Sequence, residues 1–319
     1  MMVYAGTAHP ALAGEIADHL GIALSPVKIS RFASGEIYVR FEDSVRGSDA
    51  FVIQSHAYPV NEAIMVHLLL IDALKRASAK RITAVVPYYG YSRQDKKTLA
   101  REPISAKLVA DMLTAAGADR VVSVDLHSGQ IQGFFDYPFD HLTGLPVLGE
   151  YLRERFADRD DLVVIAPDAG RVKVAERLRE YLHADLAYLY KRRSRSEHKI
   201  ERIALVGEVD GRPCIMIDDM IDTASTMCKG AQTLAAEGAS EVYAAATHPV
   251  LSGKAVQTIA ESPIRQLVVT NTLPVDEEKA AVLGDRLTCL SIAPVVASAI
   301  QAVFEDESVS QIFKGDNQV

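Results

Sequence analysis

The chain has 319 residues, 49% of them hydrophobic and 24% charged, with a formal net charge of −8. That length and apolar content predict sizeable buried cores in two domains or one large one, and the negative balance excludes general nucleic-acid binding, which needs an extended basic surface. Cys214, Cys228 and Cys289 make no CxxC pair and read as reduced, buried, structural thiols; with no membrane-length apolar run and no signal-peptide pattern, the expected setting is the cytoplasm.

In chain order, short β-branched runs alternate with longer amphipathic stretches. Strands are predicted at 49–55 (DAFVIQS), 81–89 (RITAVVPYY), 120–127 (RVVSVDLH), 161–168 (DLVVIAPD), 213–219 (PCIMIDD), 241–248 (EVYAAATH) and 266–272 (QLVVTNT). Their near-continuous apolar centres suit strands buried on both faces. Helices are predicted at 61–78, 104–118 and 225–239, the last two ending in Gly-Ala, a helix C-cap signal. The alternation predicts an α/β fold with mainly parallel sheets flanked by helices. The stretches 115–127 and 235–248 each run from a helix end through Gly-Ala to a strand ending in His, which reads as an internal duplication. Turn residues in 141–152 set the boundary, giving domains at 1–145 and 146–319, with roughly the last 15 residues packing back on the first.

In open parallel sheets, ligands bind beyond the carboxyl ends of the strands. The stretch CIMIDDMIDTASTMCKGA (214–231) runs from an apolar strand into Asp218 and Asp219, then Asp222, Thr223, Ala224, Ser225 and Thr226 at a helix start. Paired carboxylates suit vicinal sugar hydroxyls or an outer-shell metal contact, and helix-start N–H groups with hydroxyls suit a phosphate. The bland reading makes Asp222 or Thr223 an N-cap, which leaves the two preceding acids unexplained. His127 and Asp168 each end a strand and read either as structural residues or as ligands for Mg2+, which takes few protein ligands. In YYGYSRQDKK (88–97), Arg93 can clamp phosphate while Gln94 and Asp95 read a base or ribose; a solvated loop with packing tyrosines is the alternative. Lys191, Arg192, Arg193 and Arg195 crowd into YKRRSRS (190–196), where the alternative is a solvated basic turn. Walker-type, GxGxxG and GxSxG signatures are absent.

Six segments, RFASGEIYVRFEDSVRG, VVPYYGYSRQDKK, REPISAKLVADMLTAAGADRV, VDLHSGQIQGFFDYPFDHL, YKRR and IDDMIDTAST, together resemble the ribose-phosphate pyrophosphokinase (phosphoribosyl pyrophosphate synthetase) family over essentially the whole chain. The resemblance implies two tandem type I phosphoribosyltransferase-like domains, a homohexamer, and Mg2+-dependent transfer of the pyrophosphoryl group of ATP to the C1 hydroxyl of ribose 5-phosphate. It implies ribose 5-phosphate at Asp218, Asp219 and the 222–226 loop, and magnesium at His127 and Asp168. It puts ATP at Arg93, Gln94 and Asp95, with Phe32, Ser34, Gly35 and Glu36 reaching a neighbouring subunit's adenine pocket. Lys191 and Arg193 match a catalytic pair on a mobile loop, where cations stabilise charge moving onto departing AMP. The tail ESVSQIF with Arg46 resembles part of a phosphate and ADP regulatory site. Three positions depart from the family's pattern: Ser34 replaces Asp, Arg171 replaces Gly, and Ser225 replaces a Gly, which would be strained if φ there were positive. The rivals are a phosphoribosyltransferase that consumes the activated sugar, and a catalytically silent regulatory homologue.

Overall fold

The structure, a computed structural model, describes residues 1–193 and 200–313, with the backbone alone at 191–193 and 200–202. Two compact units divide the chain: Met1–Thr143 with Thr272–Pro274 and the stretch from Ser291 onward, and Gly144–Asn271 with Val275–Leu290.

The first unit runs β1 (Met2–Ala5), α1 (Pro10–Leu20), β2 (Val27–Arg31), β3 (Ile37–Phe41), β4 (Asp49–Ile53), α2 (Val60–Arg76), β5 (Arg81–Val86), α3 (Ser105–Ala116), β6 (Arg120–Val124) and β7 (Phe139–Leu142). Its sheet has the order β1-β4-β5-β6-β7, every pair parallel, and β2 and β3 form a separate antiparallel hairpin. Tyr4, Ala50, Val52, Ile82, Ala84 and Val121 meet Ile64, Leu70 and Leu74 of α2 and Val109 and Leu113 of α3 in one core. The expected C-cap after α3 is Gly117, at φ 116°. A Cβ there would come within 2.5 Å of the Lys75 side chain, so both conformation and space call for glycine.

The second unit continues with α4 (Leu145–Arg155), β8 (Val163–Ala166), α5 (Val172–Leu182), β9 (Asp185–Arg193), β10 (Ile200–Val206), β11 (Pro213–Ile221), α6 (Ser225–Ala236), β12 (Glu241–Pro249), α7 (Ala255–Ala260), β13 (Ile264–Thr270), α8 (Glu277–Leu283) and β14 (Leu287–Leu290). The sheet order is β10-β9-β8-β11-β12-β13-β14, parallel except where β10 returns along β9. Alternate residues serve opposite cores. Cys214, Met216, Ala244 and Val269 pack with Met227 and Leu234 of α6 and Ile259 of α7. Ile215, Ile217, Tyr243 and Val268 pack with Leu148 and Leu152 of α4 and Leu178 of α5. Burial on both faces explains the unbroken apolar runs. Cys214 and Cys228 are buried as expected, but Cys289 is exposed because β14 is the edge strand.

The last helix, α9 (Ala293–Phe304), returns to the first unit and packs against α1. This corrects the expected 146–319 domain: the return begins at Ser291, well before the final residues. The cause is composition, for α9 buries Ala293, Val296, Ala297, Ala299, Ile300, Ala302 and Val303 and needs an apolar partner, and α1 buries Leu12, Ala13, Ile16 and Ala17.

From β1 and from β8 alike, each unit runs strand, helix, antiparallel pair, strand, helix, strand, helix, strand and a last strand, which in the second unit follows one further helix, α8. The duplication is therefore present in the topology, but its register differs from the expected one. In sheet order β6 is the counterpart of β13, and β12 that of β5, so the segments 115–127 and 235–248 are not equivalent. Their likeness is the common grammar of a helix stop followed by a buried strand. Among the described residues no helix is long and apolar enough to cross a membrane.

Candidate active site

In the second unit, the end of β11 and the start of α6 bring together the acids and hydroxyls singled out in the sequence. Asp219 is buried and Asp218 nearly so; the Asp219 N–H donates to Asp218 Oδ1 at 2.8 Å. Burial, reinforced by the charge of Asp219, pushes the Asp218 carboxyl well above the usual carboxylate range, and Arg171 pulls against that shift. Arg171 Nε lies 3.1 Å from Asp218 Oδ1 and Nη2 3.2 Å from Asp219 Oδ2. The sequence offered Arg171 only as a departure from a pattern; its pairing with both acids carries no local signal.

The N-cap reading of Asp222 and Thr223 does not hold. Ala224 occupies that position, with φ 61° and no side-chain cap hydrogen bond. The N-cap residue itself thus contributes no side-chain bond, and the first N–H groups of the helix are the donors that a phosphate site uses. Ser225 is the first helical residue, so positive φ, and its strain, fall on Ala224 instead. The loop is anchored from behind by Leu251 N–H to Ile221 O at 2.9 Å and Ser252 N–H to Asp222 O at 3.0 Å. Ser225 and Thr223 are exposed, while Asp222 and Thr226 are half-buried.

Asp168 lies two residues past the end of β8 rather than on it, and its Oδ1 accepts the Gly170 N–H at 2.9 Å across a 3-10 turn (Ala169–Arg171). That bond fixes the carboxylate's orientation. Lys191 and Arg193 belong by backbone to β9, Lys191 opposite Ile203 and Arg193 opposite Ile200 of β10. Their side chains, and residues 194–199, lie outside the described residues.

In the first unit, His127 likewise stands beyond its strand, three residues after Val124. The turn that carries it is braced by buried His141 of β7, whose Nε2 accepts the Leu126 N–H at 2.8 Å. Sequence reasoning missed His141, whose only signal was an imidazole within a short strand. Phe32, Ser34, Gly35 and Glu36 form the tip of the β2–β3 hairpin, all exposed. The tip closes through Phe32 N–H to Glu36 O and Gly35 N–H to Phe32 O, each 2.9 Å, and Ser34 Oγ donates to Glu36 Oε2 at 2.7 Å. Arg93, Gln94 and Asp95 occupy the loop after β5, where Gln94 Oε1 accepts from Ser105 Oγ at 2.6 Å. Tyr88 and Tyr89 are buried packing residues. The first turn of α2 serves both segments, since Glu62 pairs with Arg31 at the hairpin base and Asn61 accepts from Tyr91 Oη at 2.5 Å.

Over 314 residues, the chain is 51% identical to the ribose-phosphate pyrophosphokinase of Streptomyces avermitilis, covering 98% of this chain and 96% of that one. The chain belongs to the ribose-phosphate pyrophosphokinase family. It is accordingly an enzyme, a transferase. The corresponding protein of Mycobacterium tuberculosis strain H37Rv is 51% identical over 318 residues, covering 99% of this chain and 96% of that one. The family described as the N-terminal domain of ribose phosphate pyrophosphokinase matches residues 1–117, and the phosphoribosyl synthetase-associated domain matches 184–314. The crystal structure of phosphoribosylpyrophosphate synthetase from Mycobacterium smegmatis superposes with a TM-score of 0.90 at 52% identity, covering 96% of this chain and 99% of that one.

Proposed function

We propose that the chain transfers the β,γ-pyrophosphoryl group of ATP to the C1 hydroxyl of ribose 5-phosphate, giving 5-phosphoribosyl 1-pyrophosphate and AMP for nucleotide synthesis. The observation that carries this reading is the helix start of α6, without a side-chain cap, directly after two acids at the end of a buried strand, in a chain that shares half its residues with ribose-phosphate pyrophosphokinases along its length.

The first N–H groups of α6, with Thr223, Ser225 and Thr226, receive the 5-phosphate dianion, and Asp218 and Asp219 receive the 2- and 3-hydroxyls. The C1 oxygen attacks the β-phosphorus and loses its proton; the bond from that phosphorus to the α,β-bridging oxygen breaks, and AMP departs with the oxygen. Negative charge thus moves from the sugar side towards AMP. Lys191 and Arg193 supply cations where that charge develops, which lowers the barrier without tightening ground-state binding. Arg93, Gln94 and Asp95 hold ATP. Phe32, 56% exposed at a hairpin tip, reaches with Ser34, Gly35 and Glu36 into the adenine pocket of a neighbouring subunit of a homohexamer. Arg46 and the tail around Ser308 and Ser310 take phosphate or ADP as effectors. The enzyme works in the cytoplasm.

Among the described residues no three His, Cys, Asp or Glu side chains gather as a cation site. Mg2+ needs few protein ligands when phosphates and water complete its shell. His127, on a turn beyond a strand end in the first unit, and Asp168, on a turn beyond a strand end in the second and oriented by the Gly170 N–H, are each a donor of a kind that the ion accepts. When bound, the ion would neutralise charge on the ATP phosphates.

Release of AMP from ATP by the purified chain tests the reading. AMP formation that requires both ribose 5-phosphate and Mg2+ is expected. No turnover would favour a silent homologue, and consumption of 5-phosphoribosyl 1-pyrophosphate with a nucleobase would make it a phosphoribosyltransferase.

A further inference from the structure

Two adjacent carboxylates in a buried position repel each other, and burial makes their charge costlier than it would be in water. Asp218 and Asp219 are balanced by a residue from a different element. Arg171, in the turn after β8, reaches Asp218 Oδ1 through Nε at 3.1 Å and Asp219 Oδ2 through Nη2 at 3.2 Å. The three side chains are 10%, 16% and 5% exposed for Arg171, Asp218 and Asp219. Successive side chains of a strand diverge to opposite faces, yet one guanidinium edge engages both acids. Only a planar fork spans two acceptors in this way; an ammonium is a point charge.

We propose that Arg171 is a positioning and specificity residue of the sugar site: it clamps Asp218 and Asp219 so that both present acceptor oxygens to a vicinal diol, and through them it selects ribose 5-phosphate over 2-deoxyribose 5-phosphate. This rests on the assignment of the two acids to the sugar hydroxyls. The guanidinium fixes one oxygen of each side chain and so sets the direction in which the other faces; without it the two side chains, on successive strand positions, turn independently. One of the paired acceptors is then lost, and the 2-hydroxyl loses its advantage over a hydrogen.

Calorimetric titration of the full chain and its Arg171→Gln variant with ribose 5-phosphate, 2-deoxyribose 5-phosphate and, as a control of the fold, ATP tests this. The native chain is expected to prefer the ribo sugar. Arg171→Gln should lose about tenfold to hundredfold for ribose 5-phosphate and much less for the deoxy sugar, collapsing the ratio while ATP affinity stays. An unchanged ratio in Arg171→Gln overturns the proposal. A native chain without preference for the ribo sugar overturns the diol assignment along with it, so the two failures are distinct. Should Arg171→Gln not fold, Arg171→Lys keeps the charge but reaches one acid only; a several-fold fall in the ratio is expected there, and an unchanged ratio again overturns the proposal.

Discussion

Ala224 takes φ 61°, a left-handed conformation, immediately before α6. That conformation costs an alanine about 1 kcal/mol, whereas glycine adopts it freely but loses more entropy on folding. Ala224→Gly is therefore expected to leave the unfolding temperature unchanged or raise it slightly; a drop of several degrees would contradict the strain. Lys191 sits away from the sugar-phosphate loop in sequence, so Lys191→Ala should lower kcat by orders of magnitude with ribose 5-phosphate affinity nearly intact. Near-native turnover would remove it from the catalytic roles. At this scale the loop from Asp218 to Thr226 was legible because acids ending an apolar strand have no packing purpose. The Arg171 clamp was not, since its partners are distant in sequence and no periodicity links them. The place of the strain also escaped, because whether Ala224 or Ser225 opens the helix depends on one residue's backbone.

At the level of elements, the strands buried on both faces were readable as continuous apolar runs, with most ends placed two or three residues late and those of β11 and β12 a residue or two early. β2 and β3 were missed because half of each faces out, mixing Lys28, Arg31 and Arg40 into the pattern. β9 and β10 hid behind the basic residues at their joined ends, and β7 and β14 span only four residues each. One contact between elements has a pH signature. His56, after β4, and His67, on α2, are both fully buried, with His56 Nε2 and His67 Nδ1 3.4 Å apart. The Gly90 N–H donates to His56 Nδ1 at 3.1 Å, so that nitrogen is an acceptor and the ring is neutral. Burial lowers His56 well below the ordinary 6.5, and lowers His67 to about 3. Once unfolded, both rings take up protons below 6.5, so the contribution is complete above that pH and is lost as pH falls towards 3. Each ring should account for on the order of 1 kcal/mol per pH unit in that window. Thermal melts between pH 7.5 and 5 should therefore show a fall that His67→Gln makes shallower; equal slopes would mean that the pair does not remain neutral.

For the whole molecule, the duplicated plan of the two units was foreseen, and the return of the chain to the first was foreseen only for about its last 15 residues, not from Ser291 with the whole of α9. Sequence order gives no sign that α9 belongs with α1, because both are simply apolar helices. A chain ending at residue 290 should lose cooperative unfolding of the first unit, as α1 would expose Leu12 and Ile16. A native-like melt and protease resistance of residues 1–143 would contradict that division. The division also frames the central claim, that the loop between β11 and α6 of the second unit takes the sugar phosphate. Calorimetric titrations of ribose 5-phosphate and of ATP, each alone, into the native chain and Thr226→Val test it most directly. The variant keeps the side-chain shape and removes one hydroxyl donor to the phosphate. The expected result is a loss of about tenfold to hundredfold for ribose 5-phosphate with ATP affinity unchanged. A loss of ATP affinity with ribose 5-phosphate unaffected would contradict the account and place the nucleotide, not the sugar, at the start of α6.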